Sequence, residues 1–214
     1  PQPSNGKIIK DPATGEPTGL ILGAPQLLSL FRSDRPATHE DRLWALRSMM
    51  KRYNEAGLTS IIDRGQGPEG FRAYQELRQK GELTLRAYVT VSVAGGAPLE
   101  RVRQQIQSQP AVTGSGDDWL RVGSLKIVLD GGILIGTAFM REPYGERTEV
   151  YGYSDPDYRG VLAVPRENIF EVAKLANRLG WQMTAHSTGG GSTDLLLDAY
   201  EAADREKPIR DRRF

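Results

Sequence analysis

SLKIVLDGG, residues 124–132, is an apolar run with a lysine at its centre and a glycine pair at its end. Leu125, Ile127, Val128 and Leu129 give it the character of a β-strand buried on both faces, as in a barrel or a doubly wound sheet. LTSIID (58–63) and LTLRAYVTVSV (83–93) share that character, and QMTAH (182–186) is a shorter strand of the same kind. Helical patterns stand between them. Leu43, Leu46, Met50 and Tyr53 fall on one helical face, opened by Thr38 with Asp41 as a capping box and stopped by Gly57. Phe71, Tyr74 and Leu77 mark a helix over 69–80, and Leu99, Val102 and Ile106 mark another, ended by Pro110. Pro165 opens a helix with Ile169, Val172, Ala173 and Ala176 inward and Gly180 at its end. Ser192 or Thr193 is expected to cap a last helix that runs to about Arg205.

Helix and strand therefore alternate four times, with a trailing helix. Strands separated by single helices imply a parallel sheet. Ahead of this unit, KIIKDPATGEPTGLIL (7–22) reads as a β-hairpin turned at DPATG, followed by a proline-rich linker to Pro36. The chain divides into a hairpin and linker, 1–36, and the β/α unit, 37–214.

In a parallel β/α sheet, function gathers at the carboxyl ends of the strands. Those ends carry Asp63-Arg64-Gly65, Ser92 to Gly96, Asp130-Gly131-Gly132 and His186 to Gly189. His186 is one of only two histidines, and its strand-end place favours a metal ligand or general base over an imidazole satisfied by a backbone carbonyl. Lys126 sits within an apolar strand, where an unpaired ammonium is costly. Period-2 alternation places it on one face with Ser124, Val128 and Asp130. It can reach solvent or pair with Asp130, or it can serve as a Schiff base, a phosphate contact or a carbamylated metal bridge. Asp63 and Asp130 suit structural caps or support for a site. GGGST (189–193) precedes a helix and could cradle phosphate, but it lacks the P-loop lysine. His39 stands alone at a helix start and is expected at the surface. The segment 139–160, with Tyr144, Tyr151, Tyr153 and Tyr158, is long enough to be a lid over a substrate.

Composition narrows the classes. Of the 214 residues, 38% are hydrophobic and 26% charged, which suits a globular domain, and the net charge of +1 gives no electrostatic reason for a nucleic-acid partner. Lys207, Arg210, Arg212 and Arg213 form a short basic cluster that a solvated helix end explains. No apolar run reaches the roughly 20 residues of a membrane span. No signal peptide is visible, and the cytoplasm is the expected compartment. With no cysteine, disulfides and thiolate chemistry are excluded.

GLTSIIDRG, LRAYVTV, SLKIVLDGG, YSDPDYRGVL, WQMTAHSTGGGSTDLLLDAYEAA and the closing RDRRF stand in an order that resembles the amidohydrolase superfamily. The likeness is to the amidohydrolase-3 group of YtcJ-like metal-dependent hydrolases, and it runs from the hairpin to the end of the chain. The resemblance implies an α/β fold, part of a TIM barrel, with residues 37–214 as strands two to five. It implies one or two divalent metals, zinc foremost, with Lys126 as a carbamylated ligand and His186 as a second metal ligand. It implies a small amide-type substrate whose C–N bond is cleaved by metal-activated water. The first-strand HxH pair of that family is absent here, as are its sixth-strand histidine and eighth-strand aspartate. The catalytic acid–base is therefore unassigned, the chain alone is expected to bind metal poorly, and its open sheet is expected to self-associate. A phosphate-binding Schiff-base barrel enzyme and a non-catalytic interaction protein of the same fold remain as alternatives.

Overall fold

A computed structural model describes residues 6–23, 35–145, 148–153 and 155–209. The linker over 24–34 and the arginines at 210, 212 and 213 lie outside the described residues. The hairpin pairs β1 (Gly6–Lys10) with β2 (Pro17–Gly23) antiparallel. Its turn is fixed by the Asp11 carboxylate, which accepts the N–H groups of Ala13 and Thr14.

The β/α unit then runs α1 (His39–Glu55), β3 (Ser60–Gln66), α2 (Pro68–Gln79), β4 (Arg86–Ser92), α3 (Leu99–Gln107), β5 (Leu120–Val128), α4 (Arg166–Leu179), β6 (Met183–His186) and α5 (Gly190–Glu206). The sheet order is β3-β4-β5-β6 and every pairing is parallel. Each new strand adds beside the last, which is the succession of a barrel wall rather than of a doubly wound sheet.

The helices bury the outward residues of each strand. Leu125, Ile127, Leu129 and Met183 meet Ile169, Val172 and Ala176 of α4 and Val102 and Ile106 of α3. Ala87 and Val89 meet Tyr74 and Leu77 of α2 and Leu43 and Met50 of α1. The opposite face is not covered in the same way. Ile62 is 59% exposed and Val128 51%. This corrects the expectation of strands buried on both faces. Leu, Ile and Val on the inner side of a barrel are covered by strands across its axis, and four adjacent strands do not supply those.

The helix signals that bound α1 and α4 are realised. Thr38 and Asp41 form a reciprocal capping box on α1, Pro165 is the N-cap of α4, and Gly180 ends α4 in the left-handed conformation. Strand limits shift. β3 continues past Asp63 to Gln66 through a bulge, because its register against β4 breaks between Asp63 and Gln66. β5 starts at Leu120, where the Asp117 carboxylate accepts the Trp119 and Leu120 N–H groups and aims the chain into the sheet. His39 is also corrected. It is half-buried, with Nε2 2.6 Å from the Glu76 carboxylate, so it ties α1 to α2.

Candidate functional site

The carboxyl edge of the concave face is built on three strands. In the register of β5 and β6, Lys126 lies opposite Thr184 and Val128 opposite His186. Lys126 and Val128 share one face, as do Thr184 and His186, so Lys126 and His186 project from neighbouring strands to the same side. They stand on adjacent strands, offset by two positions along the register.

Lys126 does not pair with Asp130. Its Nζ donates to the backbone carbonyl of Arg64, 2.7 Å away on β3. The β3 bulge frees that carbonyl from the ladder. Gly65 permits the bulge, since it has φ +149° and a Cβ there would lie 3.1 Å from Ser92 Oγ and 3.9 Å from the Lys126 side chain. The Arg64 side chain crosses the same face, and its Nη2 donates to Thr184 Oγ1 at 2.7 Å. Lower on the face, Tyr88 Oη donates to Gln182 Oε1 at 3.1 Å. His186 Nε2 sits 3.2 Å from Thr188 Oγ1 and 3.4 Å from the Gly131 carbonyl oxygen.

Asp130 departs from its expected parity with Lys126. It is 3% exposed and turned beneath the rim. Its carboxylate accepts the N–H groups of Phe139, Thr188 and Gly189 and the hydroxyl of Ser192 at 2.6–2.9 Å. It therefore caps α5 from another strand, which corrects the expected caps Ser192 and Thr193. α5 begins at Gly190 with no side-chain cap on Gly189. One carboxylate satisfying several donors at a helix N-terminus also meets the positive end of the helix dipole.

That arrangement occupies part of the phosphate cradle considered at GGGST. The Thr188 and Gly189 amides already serve Asp130, and the Ser192 amide donates to the Phe139 carbonyl. Gly189 is needed for close approach, because a Cβ there would fall 1.9 Å from the Phe139 carbonyl oxygen.

The tyrosines of the 139–160 segment are spent on one another. Tyr153 and Tyr158 stack with centroids 3.5 Å apart, and Tyr144 stacks on Tyr158 at 5.7 Å. Tyr158 Oη donates to the Gly136 carbonyl and Tyr144 Oη to that of Ala138. Burial, then the hydrogen bond with Tyr153, pushes the Tyr158 phenol well above its ordinary value. Arg141 forks onto the Asp194 carboxylate and fastens the segment to α5. Asp63 faces the helices, where its carboxylate accepts Tyr74 Oη and Gln66 Nε2.

Arg64 and Thr184 were not singled out by sequence. Arg64 stood among the strand-end residues, and alternation with Ser60 and Ile62 already puts it on the open face, but its partner Thr184 is set by a distant strand.

A model of the amidohydrolase family matches residues 1–214. The chain is 26% identical over 206 residues to the putative amidohydrolase YtcJ of Bacillus subtilis (strain 168), covering 94% of this chain and 35% of that protein. It is 25% identical to the N-substituted formamide deformylase of Arthrobacter pascens, over 96% of this chain and 36% of that protein. It is likewise 25% identical to the protein LONG AFTER FAR-RED 3 of Arabidopsis thaliana, over 99% of this chain and 35% of that protein. The chain thus spans about a third of the length of these relatives. The fold matches that of an uncharacterized metal-dependent hydrolase from Pyrococcus furiosus, with a TM-score of 0.67 at 23% identity, over 95% of this chain and 39% of that one. A second such hydrolase, from Pyrococcus horikoshii OT3, gives 0.65 at 22%, over 91% and 37%.

Proposed function

The chain belongs to the amidohydrolase family, and from that membership we propose that it forms the Lys126–His186 side of a metal-dependent hydrolase that cleaves amide or other C–N bonds of small molecules. The observation that carries the reading is the placement of Lys126 and His186 on adjacent strands, on one face, at the carboxyl edge of the sheet.

The donor set fits a divalent metal, zinc foremost, in part. The imidazole of His186 is a suitable ligand as it stands. Lys126 as an ammonium has only donors and no lone pair. It becomes a ligand when its neutral amine attacks carbon dioxide, forming an N–C bond and releasing a proton to water, which leaves a carbamate. Two ligands fall short of the three protein ligands that a catalytic zinc site uses. Among the described residues no cluster of three His, Cys, Asp or Glu could hold a metal. The remaining ligands belong, in this proposal, to the portion of the protein that corresponds to the rest of its relatives' length.

A bound metal would supply a water acidic enough to attack near neutral pH and would polarise the substrate carbonyl. The chain's own residues set the stage. The Arg64 carbonyl holds Lys126 Nζ against the face. Thr188 and Gly131 hold the His186 ring at the rim. Asp130 fixes the turn that follows His186.

The same proposal takes 1–36 as a hairpin and linker and β3–β6 as strands two to five of a barrel. It includes self-association through the exposed concave face and a cytoplasmic setting. Among the described residues no helix is long and apolar enough to cross a membrane.

Equilibrium dialysis against zinc in bicarbonate tests the reading. Lys126→Met and His186→Ala should each lower the zinc bound at a fixed free concentration. Unchanged zinc in both variants would contradict it.

A further inference from the structure

We propose that Val128 and the turn Ile133–Ile135 form an apolar wall beside His186, and that the amides this face takes carry a hydrocarbon group of several carbons seated on that wall. The word "amides" rests on the hydrolase reading above; the apolar wall does not.

The wall starts on the strand. Val128 is the register partner of His186 and is half exposed on the concave face. A little further on, the Gly131 carbonyl oxygen stands 3.4 Å from His186 Nε2. Gly132 then opens a 3₁₀ turn over Ile133–Ile135. Its side chains, Ile133, Leu134 and Ile135, are 47%, 89% and 62% exposed. Single exposed apolar residues are ordinary on a protein surface, whereas a contiguous run of them marks a place where something binds.

This exposure is built into the backbone. The Gly131 N–H donates to the Thr137 carbonyl, the Thr137 and Ala138 N–H groups donate to the Gly132 carbonyl, and the Gly136 N–H donates to the Ile133 carbonyl. Inside the loop, Thr137 Oγ1 accepts the Gly132 N–H. Gly136 closes the turn at φ +66°, where a Cβ would fall 2.5 Å from the Tyr151 ring, so Tyr151 backs the turn. A loop bonded in this way cannot fold its apolar side chains down without breaking several hydrogen bonds. Its surface is therefore ready for a ligand at little ordering cost.

The rest of the face indicates the occupant. Deeper on it the polar side chains answer one another, Tyr88 to Gln182 and Arg64 to Thr184. Beside His186, Val128 and the turn offer hydrocarbon. An amide whose polar end meets His186 lays its substituent against that hydrocarbon. Small-molecule sites combine an apolar lining with a few placed polar groups in this manner. A second copy of the chain is the competing occupant, and continuity with His186 favours the small molecule.

Binding is to be followed by ¹³C–¹H NMR of the isoleucine and leucine methyl groups, with a chelator present so that no metal takes part. The probes are N-methylacetamide and N-hexylacetamide, which share the amide and differ in chain length. The expected result is saturable binding of N-hexylacetamide about thirtyfold tighter than that of N-methylacetamide, since each methylene buried on one side adds roughly twofold. Cross-peaks should join the hexyl chain to the Ile133 and Ile135 methyl groups, and the acetyl methyl to the His186 ring. Leu134→Ser combined with Ile135→Ser, at two exposed positions, should cut the preference to about threefold. Val128→Thr, which keeps the shape of the side chain, should lower it less. Leu197→Ser, at another exposed leucine, on α5, should leave it unchanged. Equal binding of the two amides, a preference that survives the double variant, or one that falls as far in Leu197→Ser would each overturn the proposal. So would turn signals that shift with protein concentration and with neither amide, which would assign the wall to a second copy. Because the chelator removes metal, the zinc dialysis of Lys126 and His186 can fail while this preference stands, and the converse also holds.

Discussion

Arg64 of β3 and Thr184 of β6 stand on the two outermost strands of the sheet and are joined by a hydrogen bond of 2.7 Å. Three strand spacings laid flat would separate them by about 14 Å, more than one arginine side chain and a hydrogen bond can span. The sheet is therefore curled, with this face concave. Lys126 of β5 reaches the Arg64 carbonyl of β3 by the same curl. The curvature that brings edge residues together is also what gathers Lys126, Arg64, Thr184 and His186 into one concavity.

Gly65→Ala should loosen that gathering. The residue has φ +149°, a region nearly reserved for glycine, and a methyl group would press on Ser92 Oγ at 3.1 Å. The expected cost is about 1–3 kcal/mol, read from urea unfolding. The Lys126 Nζ signal should lose its hydrogen-bonded shift in the same variant.

Asp130→Ala should be more damaging. It strands the N–H groups of Phe139, Thr188 and Gly189 that one buried carboxylate satisfies. A loss of roughly 3 kcal/mol or more is expected. Asp130→Asn should fall between, since one arm of the amide donates where an acceptor is needed. Hydrogen exchange at the Thr188 and Gly189 amides should quicken before exchange in α4 does.

Acid should weaken the α1–α2 contact through Glu76. Hydrogen bonds from Lys80, then from His39, hold its carboxyl down to about 2 from an ordinary 4.5. A carboxyl depressed in the folded state contributes stability that is full above the unfolded value and is lost as pH falls toward the folded one. Unfolding midpoints should therefore drop between pH 4.5 and 2. The drop should be smaller in Glu76→Gln. An identical pH profile in that variant would exclude this carboxyl as a source of acid sensitivity.

How much of this could be read from the sequence depends on how local each cause is. The capping box of Thr38 and Asp41 and the stop at Gly180 are set within a turn of chain, and both are legible. Lys126, within its strand, and His186, at the end of its own, are legible because alternation and helix spacing place them on the sheet. Asp130 breaks the alternation since its fate is decided by donors from 139, 188, 189 and 192, far along the chain. Arg64 shares the parity of Ile62, so its face is legible, but its bond to Thr184 depends on the curl of the whole sheet. The tyrosines at 144, 153 and 158 look available in the sequence, yet they stack on one another once the segment folds.

The central claim is that Lys126 and His186 are two of the ligands of one metal, and the chain's own composition offers a direct measurement. It has two histidines, His39 and His186, so its imidazole ¹⁵N spectrum holds one control and one reporter. Zinc is to be added with and without bicarbonate, to the unaltered chain and to Lys126→Met. The account predicts a shift at His186 alone, weak without bicarbonate, stronger with it, and no longer responsive to bicarbonate in Lys126→Met. A shift at His39 instead, or a His186 signal indifferent to zinc under both conditions, would contradict it.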